Sequence, residues 1–164
     1  MIAASEKVEG GAGILFIVKN YSGDIMNFQM ASEMITGASE TVLINDDVAV
    51  EDSSYTTGRR GVAATVIVEK IVGSLAEIGG SLKECKNLGD KVNKNSGSMG
   101  VAFSSCTVPA AGKPTFELDF DEMEFGVGIH GEPGRRRDKV QPAQEITNEL
   151  LAAIIEDLKP DNND

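Results

Sequence analysis

Three side chains of this sequence combine reactive chemistry with a position suited to a small-molecule site: Lys19, Asp24 and His130. His130 is the single histidine of the chain, and glycines lie close to it on both sides, at Gly128 and Gly131. A neutral imidazole is a nucleophile or a base near neutral pH, and flanking glycines leave it open to a ligand. On the residues alone, a functional and a structural role for this histidine both stay open.

Lys19 and Asp24 stand on either side of a turn that follows a strongly apolar run, Ile14–Val18. Such a run, followed by a helical pattern, is typical of a parallel strand buried on both faces. Ligands of α/β folds bind beyond the carboxyl ends of the strands, which is where Lys19, Asn20 and Asp24 fall. Two alternatives stay open: Asp24 can act only as a charge at a helix start, and Lys19 only as a solvated cation.

A second apolar run, Thr41–Ile44, predicts another buried strand. Apolar residues recur with helical spacing after each strand, and a capping-box pair, Ser81 and Glu84, marks the start of one helix. The pattern predicts four helices after the first strand: from residue 24 onward, 62–78, 81–93 and 143–158. Residues 1–4 are interpreted as the end of a further helix before that strand. The first of the four helices carries a stripe of three methionines that we expect in the core: Met26, Met30 and Met34.

A change in alternation predicts a β-hairpin just before His130. Residues 116–120 alternate apolar and charged side chains, whereas the apolar residues of 123–129 follow the opposite parity. A switch of parity requires a turn or bulge, which we place at Asp121-Glu122. Together with the buried strands and helices, this predicts an α/β fold: a mixed sheet flanked by helices, with a β-hairpin carrying His130.

Composition limits the classes to which the protein can belong. A chain of 164 residues, 41% hydrophobic and 25% charged, can bury the core of a globular domain. The net charge of −11 argues against nucleic acid, whose phosphates require clustered cations. No stretch reaches the roughly 18 to 20 apolar residues that span a bilayer, and Cys85 and Cys106 lack the spacing of metal ligands. We therefore expect a cytoplasmic protein with no metal, nucleic-acid or membrane partner.

Phosphate-binding loops are missing where glycines suggest them. Gly112-Lys113 follows Thr107 instead of the glycine that a P-loop requires, and Pro114 stands where a serine or threonine is needed. The glycines of 10–13 precede a strand instead of opening a helix, which a dinucleotide fingerprint would require. We expect no cofactor to be bound by this chain, and any nucleotide to bind elsewhere.

Five segments of the sequence are distinctive: Lys19-Asn20-Tyr21-Ser22-Gly23-Asp24; Asn45-Asp46-Asp47-Val48-Ala49-Val50; Thr57-Gly58-Arg59-Arg60-Gly61; Cys106-Thr107-Val108-Pro109-Ala110-Ala111-Gly112-Lys113-Pro114; and Glu122-Met123-Glu124-Phe125-Gly126-Val127-Gly128-Ile129-His130-Gly131-Glu132-Pro133-Gly134. In this order and at comparable spacing, they resemble the dihydroxyacetone-binding subunit of the dihydroxyacetone kinase family. The resemblance runs from about Gly10 to Gly134.

The resemblance implies a role for each of the three candidate residues. His130 corresponds to the histidine that adds to the ketone carbon of dihydroxyacetone and holds it as a hemiaminal. Asp24 corresponds to the acid/base aspartate beside the substrate hydroxyl, and Lys19 to a residue that binds the substrate by hydrogen bonds. ATP or ADP with Mg²⁺ is then expected on a nucleotide-binding subunit or domain, with the phosphoryl donor either ATP or a phosphotransferase relay. The family also implies a homodimer.

The sequence departs from the family in two ways. The family has an upstream glycine-rich segment with a second histidine, which this chain lacks, and it continues beyond the point where this chain stops. We therefore expect residues 1–158 to be a partial dihydroxyacetone-binding domain and 159–164 a linker toward a further section. Activity is then expected to need those segments as well as the partner subunit. An alternative of another class is a dihydroxyacetone-sensing co-activator without kinase activity.

Overall fold

The computed structural model describes residues 1–50, 58–105, 107, 109–110, 112–114 and 116–159. Thr57, Cys106 and all of the expected linker except Lys159 lie outside the described residues. Contacts divide the chain into two compact units: unit 1 comprises Met1–Asp46 and Asp52–Ser96, and unit 2 comprises Asp47–Glu51 and Gly97–Asp164. Each unit has its own hydrophobic core among the described residues.

Unit 1 is built on two parallel strands, β1 (Ile14–Lys19) and β2 (Ser39–Ile44). Its helices are α1 (Ile2–Val8), α2 (Ser22–Met34), α3 (Ala64–Glu77) and α4 (Leu82–Lys94). The two strands predicted from apolar runs are confirmed, and their register places Lys19 opposite Ile44. Because paired parallel strands end together, the turns that follow Lys19 and Ile44 leave the sheet at the same edge.

Apolar side chains cover both faces of β1, whereas β2 is buried on one face only, with Val42 and Ile44 at 0% and Leu43 at 37% exposure. On one face, Phe16 and its neighbours in β1 pack against Phe28 of α2, with the two rings edge to face at 5.6 Å between centroids. On the other face, Val42 of β2 packs against α3 and α4, and a Cβ at Gly89 of α4 would lie only 2.6 Å from Val42. Each fully buried aliphatic or aromatic side chain contributes about 1.5–3 kcal/mol to the free energy of unfolding. The packing of this sheet therefore stabilises the positions of the turns at its edge.

The capping box predicted at Ser81 is confirmed at the start of α4. The Ser81 hydroxyl accepts a hydrogen bond from the backbone N–H of Glu84, and the Glu84 carboxylate accepts one from the backbone N–H of Ser81 at 2.9 Å. The Ser81 hydroxyl also donates a 2.6 Å hydrogen bond to the Glu84 carboxylate, and this bond, together with that from the Ser81 N–H, lowers the pKa of Glu84 below its ordinary value. The sequence pattern alone therefore located this helix start.

The methionine stripe of α2 does not lie in the core, so that prediction is wrong. Met26, Met30 and Met34 are 63%, 58% and 66% exposed. The helix instead turns Phe28 toward β1 and buries Ala31. Apolar residues occupy more than one side of α2, and helical spacing does not indicate which side packs inward.

Unit 2 contains a small antiparallel sheet and one long helix. The strands are β3 (Val101–Ala102), β4 (Glu122–Phe125) and β5 (Arg136–Lys139), with β4 in the middle. The helix is α5 (Ala143–Leu158), whose bounds match the predicted 143–158. Met123 and Phe125 of β4 pack with Ile146 of α5 to form the core of this unit.

The predicted pairing of 116–120 with 123–129 is not present. The described residues of 116–120 form no strand, and Phe120 is fully exposed, whereas β4 pairs with β5. The segment of β5 has no apolar alternation, and its pairing is supported by cross-strand charges such as Arg137 with Glu124. In the described residues the parallel and antiparallel strands therefore belong to separate small sheets instead of one mixed sheet.

No helix in the described parts of the chain is both long and apolar enough to cross a lipid bilayer.

Candidate functional site

Lys19 and Asp24 both lie at the carboxyl end of β1 in unit 1. Lys19 is the last residue of β1 and is partly buried. Asp24 is exposed in the first turn of α2, whose helix begins at Ser22. A carboxylate at this place is favoured by the positive end of the helix dipole, and it faces solvent where a ligand can reach it.

A buried asparagine holds the neighbouring loop against the end of β1. Asn20 is 1% exposed, and its side-chain nitrogen donates a 2.7 Å hydrogen bond to the carbonyl of Arg59. The backbone N–H of Asn20 donates to the carbonyl of Ile44 at 2.9 Å, which extends the β1–β2 ladder by one bond. Gly61 lies so close that a Cβ there would stand 2.3 Å from the Ile44 carbonyl and 2.8 Å from the Cα of Lys19. The segment around Gly61 therefore packs directly on the backbone of Lys19.

Asp46 fixes the same segment from the end of β2. Its carboxylate is buried at 1% exposure and accepts hydrogen bonds from the backbone N–H groups of Val62 at 2.7 Å and Ala64 at 2.9 Å. Ala64 begins α3, and the residue before that helix supplies no side-chain cap, so Asp46 takes the place of one. Sequence analysis missed this cap because the acceptor stands 16 and 18 residues before its donors.

His130 lies in unit 2, in the connection of residues 126–135 between β4 and β5. The connection is closed by backbone hydrogen bonds of 3.0 Å from Gly131 to the carbonyl of Gly128 and from Gly128 to that of Glu132. Gly131 has a φ of 77°, a conformation that a residue with a side chain adopts only with strain. The turn leaves the His130 side chain 58% exposed.

Glu132 places a carboxylate beside the imidazole. One of its oxygens accepts a 3.0 Å hydrogen bond from the backbone N–H of His130, and the other lies 3.4 Å from the ring atom Nδ1. The Glu132 side chain is only 21% exposed, so it is held more firmly than the ring beside it. A carboxylate beside one ring nitrogen determines which nitrogen carries the proton.

The return of the His130 loop to β5 is anchored by Glu124. This residue is 5% exposed, and its carboxylate accepts from the backbone N–H of Gly134 at 2.6 Å and from Nε of Arg137 at 2.9 Å. A Cβ at Gly134 would stand 2.2 Å from the carbonyl of Phe125, so glycine is required there. The buried carboxylate of Glu124 therefore anchors the turn that carries His130 at the end where it joins β5.

The structure thus brings two of the three predicted residues, Lys19 and Asp24, to one end of a strand, and places His130 in the other unit. Sequence analysis placed Glu132 and Asp46 in the family-like segments but gave neither a role, because their hydrogen bonds to backbone N–H groups leave no pattern in the sequence. Among the described residues, no group of three or more histidine, cysteine, aspartate or glutamate side chains is arranged to hold a metal ion.

Known proteins resemble this chain in sequence and in structure. It is 52% identical over 152 residues to the PTS-dependent dihydroxyacetone kinase 1, dihydroxyacetone-binding subunit DhaK, of Listeria innocua, which covers 91% of this chain and 46% of that protein. The dihydroxyacetone kinase of C. freundii superposes with a TM-score of 0.82 at 33% identity, covering 94% of this chain and 29% of that one.

A third relative is the dihydroxyacetone kinase operon co-activator DhaQ, with a TM-score of 0.82 at 31% identity over 96% of this chain and 49% of that one. The chain spans about half the length, or less, of each of these relatives. The Dak1 domain description matches residues 1–164, which is the whole of the sequence. His130, Asp24 and Lys19 lie in the segments that resemble this family in sequence. The chain therefore belongs to the Dak1 domain family.

Proposed function

We propose that this chain supplies the dihydroxyacetone-binding part of a dihydroxyacetone kinase, which phosphorylates dihydroxyacetone to dihydroxyacetone phosphate. The observation that carries the proposal is the 52% identity to a dihydroxyacetone-binding subunit, together with a solvent-accessible histidine on an anchored glycine turn. Family membership alone would leave the substrate open. The exposed imidazole adds a group whose chemistry fits a ketone.

His130 is the residue that captures the substrate. A ring nitrogen adds to the carbonyl carbon, the carbonyl oxygen takes up a proton, and the imidazole gives one up, so the adduct is a neutral hemiaminal. An imidazole adds to a ketone but not to an alcohol carbon, so this step accepts dihydroxyacetone and rejects glycerol.

Asp24 and Lys19 serve the terminal hydroxyl of the captured substrate. The exposed carboxylate of Asp24 takes the hydroxyl proton as the phosphoryl group arrives, and the ammonium of Lys19 donates hydrogen bonds to substrate oxygen. Phosphoryl transfer itself depends on positioning and on neutralising the charge of the phosphates. This chain carries no phosphate-binding loop motif, so ATP or ADP with Mg²⁺ belongs to a nucleotide-binding partner. The C. freundii kinase, a relative, has been crystallised with AMP-PNP and Mg²⁺.

The assembly that we propose is a homodimer in the cytoplasm that works with a nucleotide-binding subunit or domain. The Listeria relative is named as PTS-dependent, which favours a phosphotransferase relay as the phosphoryl donor.

Adduct formation tests the proposed function. The protein that carries this sequence should gain the mass of one intact dihydroxyacetone, without loss of water, when it is measured under native conditions. His130→Ala should abolish the gain, because the imidazole that attacks the ketone is then missing. Glycerol at the same concentration is the ligand control and should add nothing. A mass gain that survives His130→Ala would refute the assignment of the ketone to this residue.

A sensor of dihydroxyacetone is the second candidate, favoured by the superposition on the co-activator DhaQ at a TM-score of 0.82. A kinase assay with the nucleotide-binding subunit separates the two functions. Formation of dihydroxyacetone phosphate that depends on Asp24 supports the kinase. Adduct formation without any turnover supports the sensor.

A further inference from the structure

The capture step needs one ring nitrogen of His130 with a lone pair that can attack the ketone. The contacts of the ring indicate which nitrogen that is. A neutral imidazole carries its proton on either Nδ1 or Nε2, and only the nitrogen without the proton has a lone pair for the carbonyl carbon. A group held beside one of the two nitrogens therefore affects which of them can attack.

Glu132 places a carboxylate beside one of the two ring nitrogens, Nδ1. One carboxylate oxygen accepts a 3.0 Å hydrogen bond from the backbone N–H of His130, and this bond fixes the position of the carboxylate relative to His130. The other oxygen lies 3.4 Å from Nδ1. An ionised carboxylate only accepts hydrogen bonds, so a proton on Nδ1 is favoured there, and the lone pair is left on Nε2.

We propose that Glu132 is the positioning residue of the capture step: it holds His130 in the form protonated on Nδ1, so that Nε2 attacks the ketone. The inference rests on the proposed function, because it concerns the same histidine. In the addition, the Nε2 lone pair forms the new N–C bond, and the π pair of the carbonyl moves to oxygen, which takes a proton. Nδ1 gives up its proton, which Glu132 is placed to receive and pass to solvent. Nothing is oxidised or reduced.

The loop gives this carboxylate the rigidity that the role demands. Glu132 is bound at both its side chain and its carbonyl, since that carbonyl accepts the backbone N–H of Gly128 at 3.0 Å. Two residues further on, Gly134 is tied to the buried Glu124. Residues that orient a histidine in metal sites typically change affinity by about 10- to 100-fold when they are replaced, and we expect an effect of that size on the adduct.

Imidazole ¹⁵N spectra of the protein, without any ligand, test the proposal at the ring itself. The two ring signals of His130 are identified by their loss in His130→Ala. The wild-type protein should show a protonated Nδ1 and an unprotonated Nε2. A wild-type spectrum with the His130 proton on Nε2 would overturn the proposal.

Glu132→Gln gives the opposite arrangement with little change of shape. Its amide oxygen can keep the hydrogen bond from the backbone N–H of His130, and its NH₂ group then faces Nδ1 as a donor. We expect the proton to shift toward Nε2 and the dissociation constant of the dihydroxyacetone adduct to rise by about 10- to 100-fold. The matched control is Glu117→Gln, an exposed acid of the same unit, which should leave both readouts unchanged.

The outcomes separate this proposal from the proposed function. If the wild-type protein forms no adduct, the capture of dihydroxyacetone fails, whatever the spectra show. If the wild-type protein forms the adduct while Glu132→Gln binds equally well, the capture stands and the role of Glu132 is overturned.

Discussion

At the scale of single residues, the proposed reaction divides into two steps that different side chains carry. In the proposed reaction, His130 acts on the carbonyl carbon and determines whether the substrate is held. In the same proposal, Asp24 acts on the hydroxyl that receives the phosphoryl group and determines whether the held substrate reacts. Substitution of His130 should therefore abolish the adduct, whereas substitution of Asp24 should lower the rate of phosphorylation.

We predict that Asp24→Asn keeps the dihydroxyacetone adduct but loses about 10²- to 10⁴-fold in the rate of phosphorylation, because an amide cannot take the hydroxyl proton. Native mass measurement and a coupled kinase assay with the nucleotide-binding subunit give the two readouts. Asp90→Asn, at an exposed aspartate of α4, is the matched control and should leave both unchanged. Equal loss of adduct and of turnover in Asp24→Asn would show that this residue binds substrate and does not serve as the base.

The residues that position the site were harder to predict than those that react. Lys19, Asp24 and His130 are recognisable by type and place in the sequence. Glu132 and Asp46 act through backbone N–H groups, whose directions depend on turns that no periodic pattern describes. A carboxylate that caps a helix from 18 residues away leaves no local signature.

At the scale of elements, long apolar runs and the helical period predicted strands and helices correctly, whereas the short alternation of 116–120 predicted a strand that is not present among the described residues. Helix α5 and strands β1 and β2 have clear apolar periods and were found. Strand β5 is made of the charged residues Arg136–Lys139, and it is paired through ion pairs such as Lys139 with Asp121. That ion pair lowers the pKa of Asp121 and raises the pKa of Lys139. Charge pairing across strands is a tertiary feature, and alternation of apolar residues cannot reveal it.

Close packing at the end of β1 makes Gly61 a sensitive position. Gly61→Ala would place a Cβ 2.3 Å from the Ile44 carbonyl and 2.8 Å from the Cα of Lys19, so the backbone there must shift. We expect this substitution to lower the free energy of unfolding by about 1–3 kcal/mol and to weaken dihydroxyacetone binding through Lys19. Chemical denaturation and the adduct assay measure the two effects.

The matched control for that prediction is Gly73→Ala, in the interior of α3. A Cβ at Gly73 meets nothing within 4 Å, so the substitution should stabilise the protein by about 0.5–1 kcal/mol and leave binding alone. Unchanged binding in Gly61→Ala, together with the expected loss of stability, would show that the packing of this segment does not reach the substrate.

The capping box of α4 predicts a specific dependence of stability on pH. Hydrogen bonds from Ser81 lower the pKa of Glu84, so the ionised carboxylate stabilises the folded state above its ordinary pKa of about 4.3. That contribution is lost as the pH falls through the lowered pKa, where the folded state takes up the proton. Stability curves of wild type and Glu84→Gln should therefore differ at neutral pH and converge in acid. Ser81→Ala should flatten the same dependence, and curves that stay parallel down to low pH would contradict the assignment.

At the scale of the whole molecule, the described residues form two compact units, each with its own core and its own share of the proposed reaction. Lys19 and Asp24 belong to unit 1, and His130 and Glu132 belong to unit 2. The division into two units was not predicted from the sequence. Residues 47–51 belong to unit 2 although they lie between two segments of unit 1, and no change in composition marks them. The five family-like segments, by contrast, were visible in the sequence, and they led to the family that the whole chain matches.

The net charge of −11 also acts at this scale. It favours solubility and disfavours association with nucleic acid, while the neutral dihydroxyacetone molecule is not repelled. The proposed substrate carries no charge that needs a cationic pocket, which agrees with the proposal that it is held by a covalent bond.

The most direct test of the account is to observe the bond between His130 and the substrate. Protein labelled with ¹⁵N at histidine should be saturated with dihydroxyacetone labelled with ¹³C at its carbonyl. We predict that a fraction of the carbonyl signal moves to the region of tetrahedral carbon and shows one-bond coupling to Nε2 of His130, and that this coupling is absent in His130→Ala. A folded, saturated protein in which all of the bound ligand keeps its ketone signal, without coupling to nitrogen, would contradict this prediction.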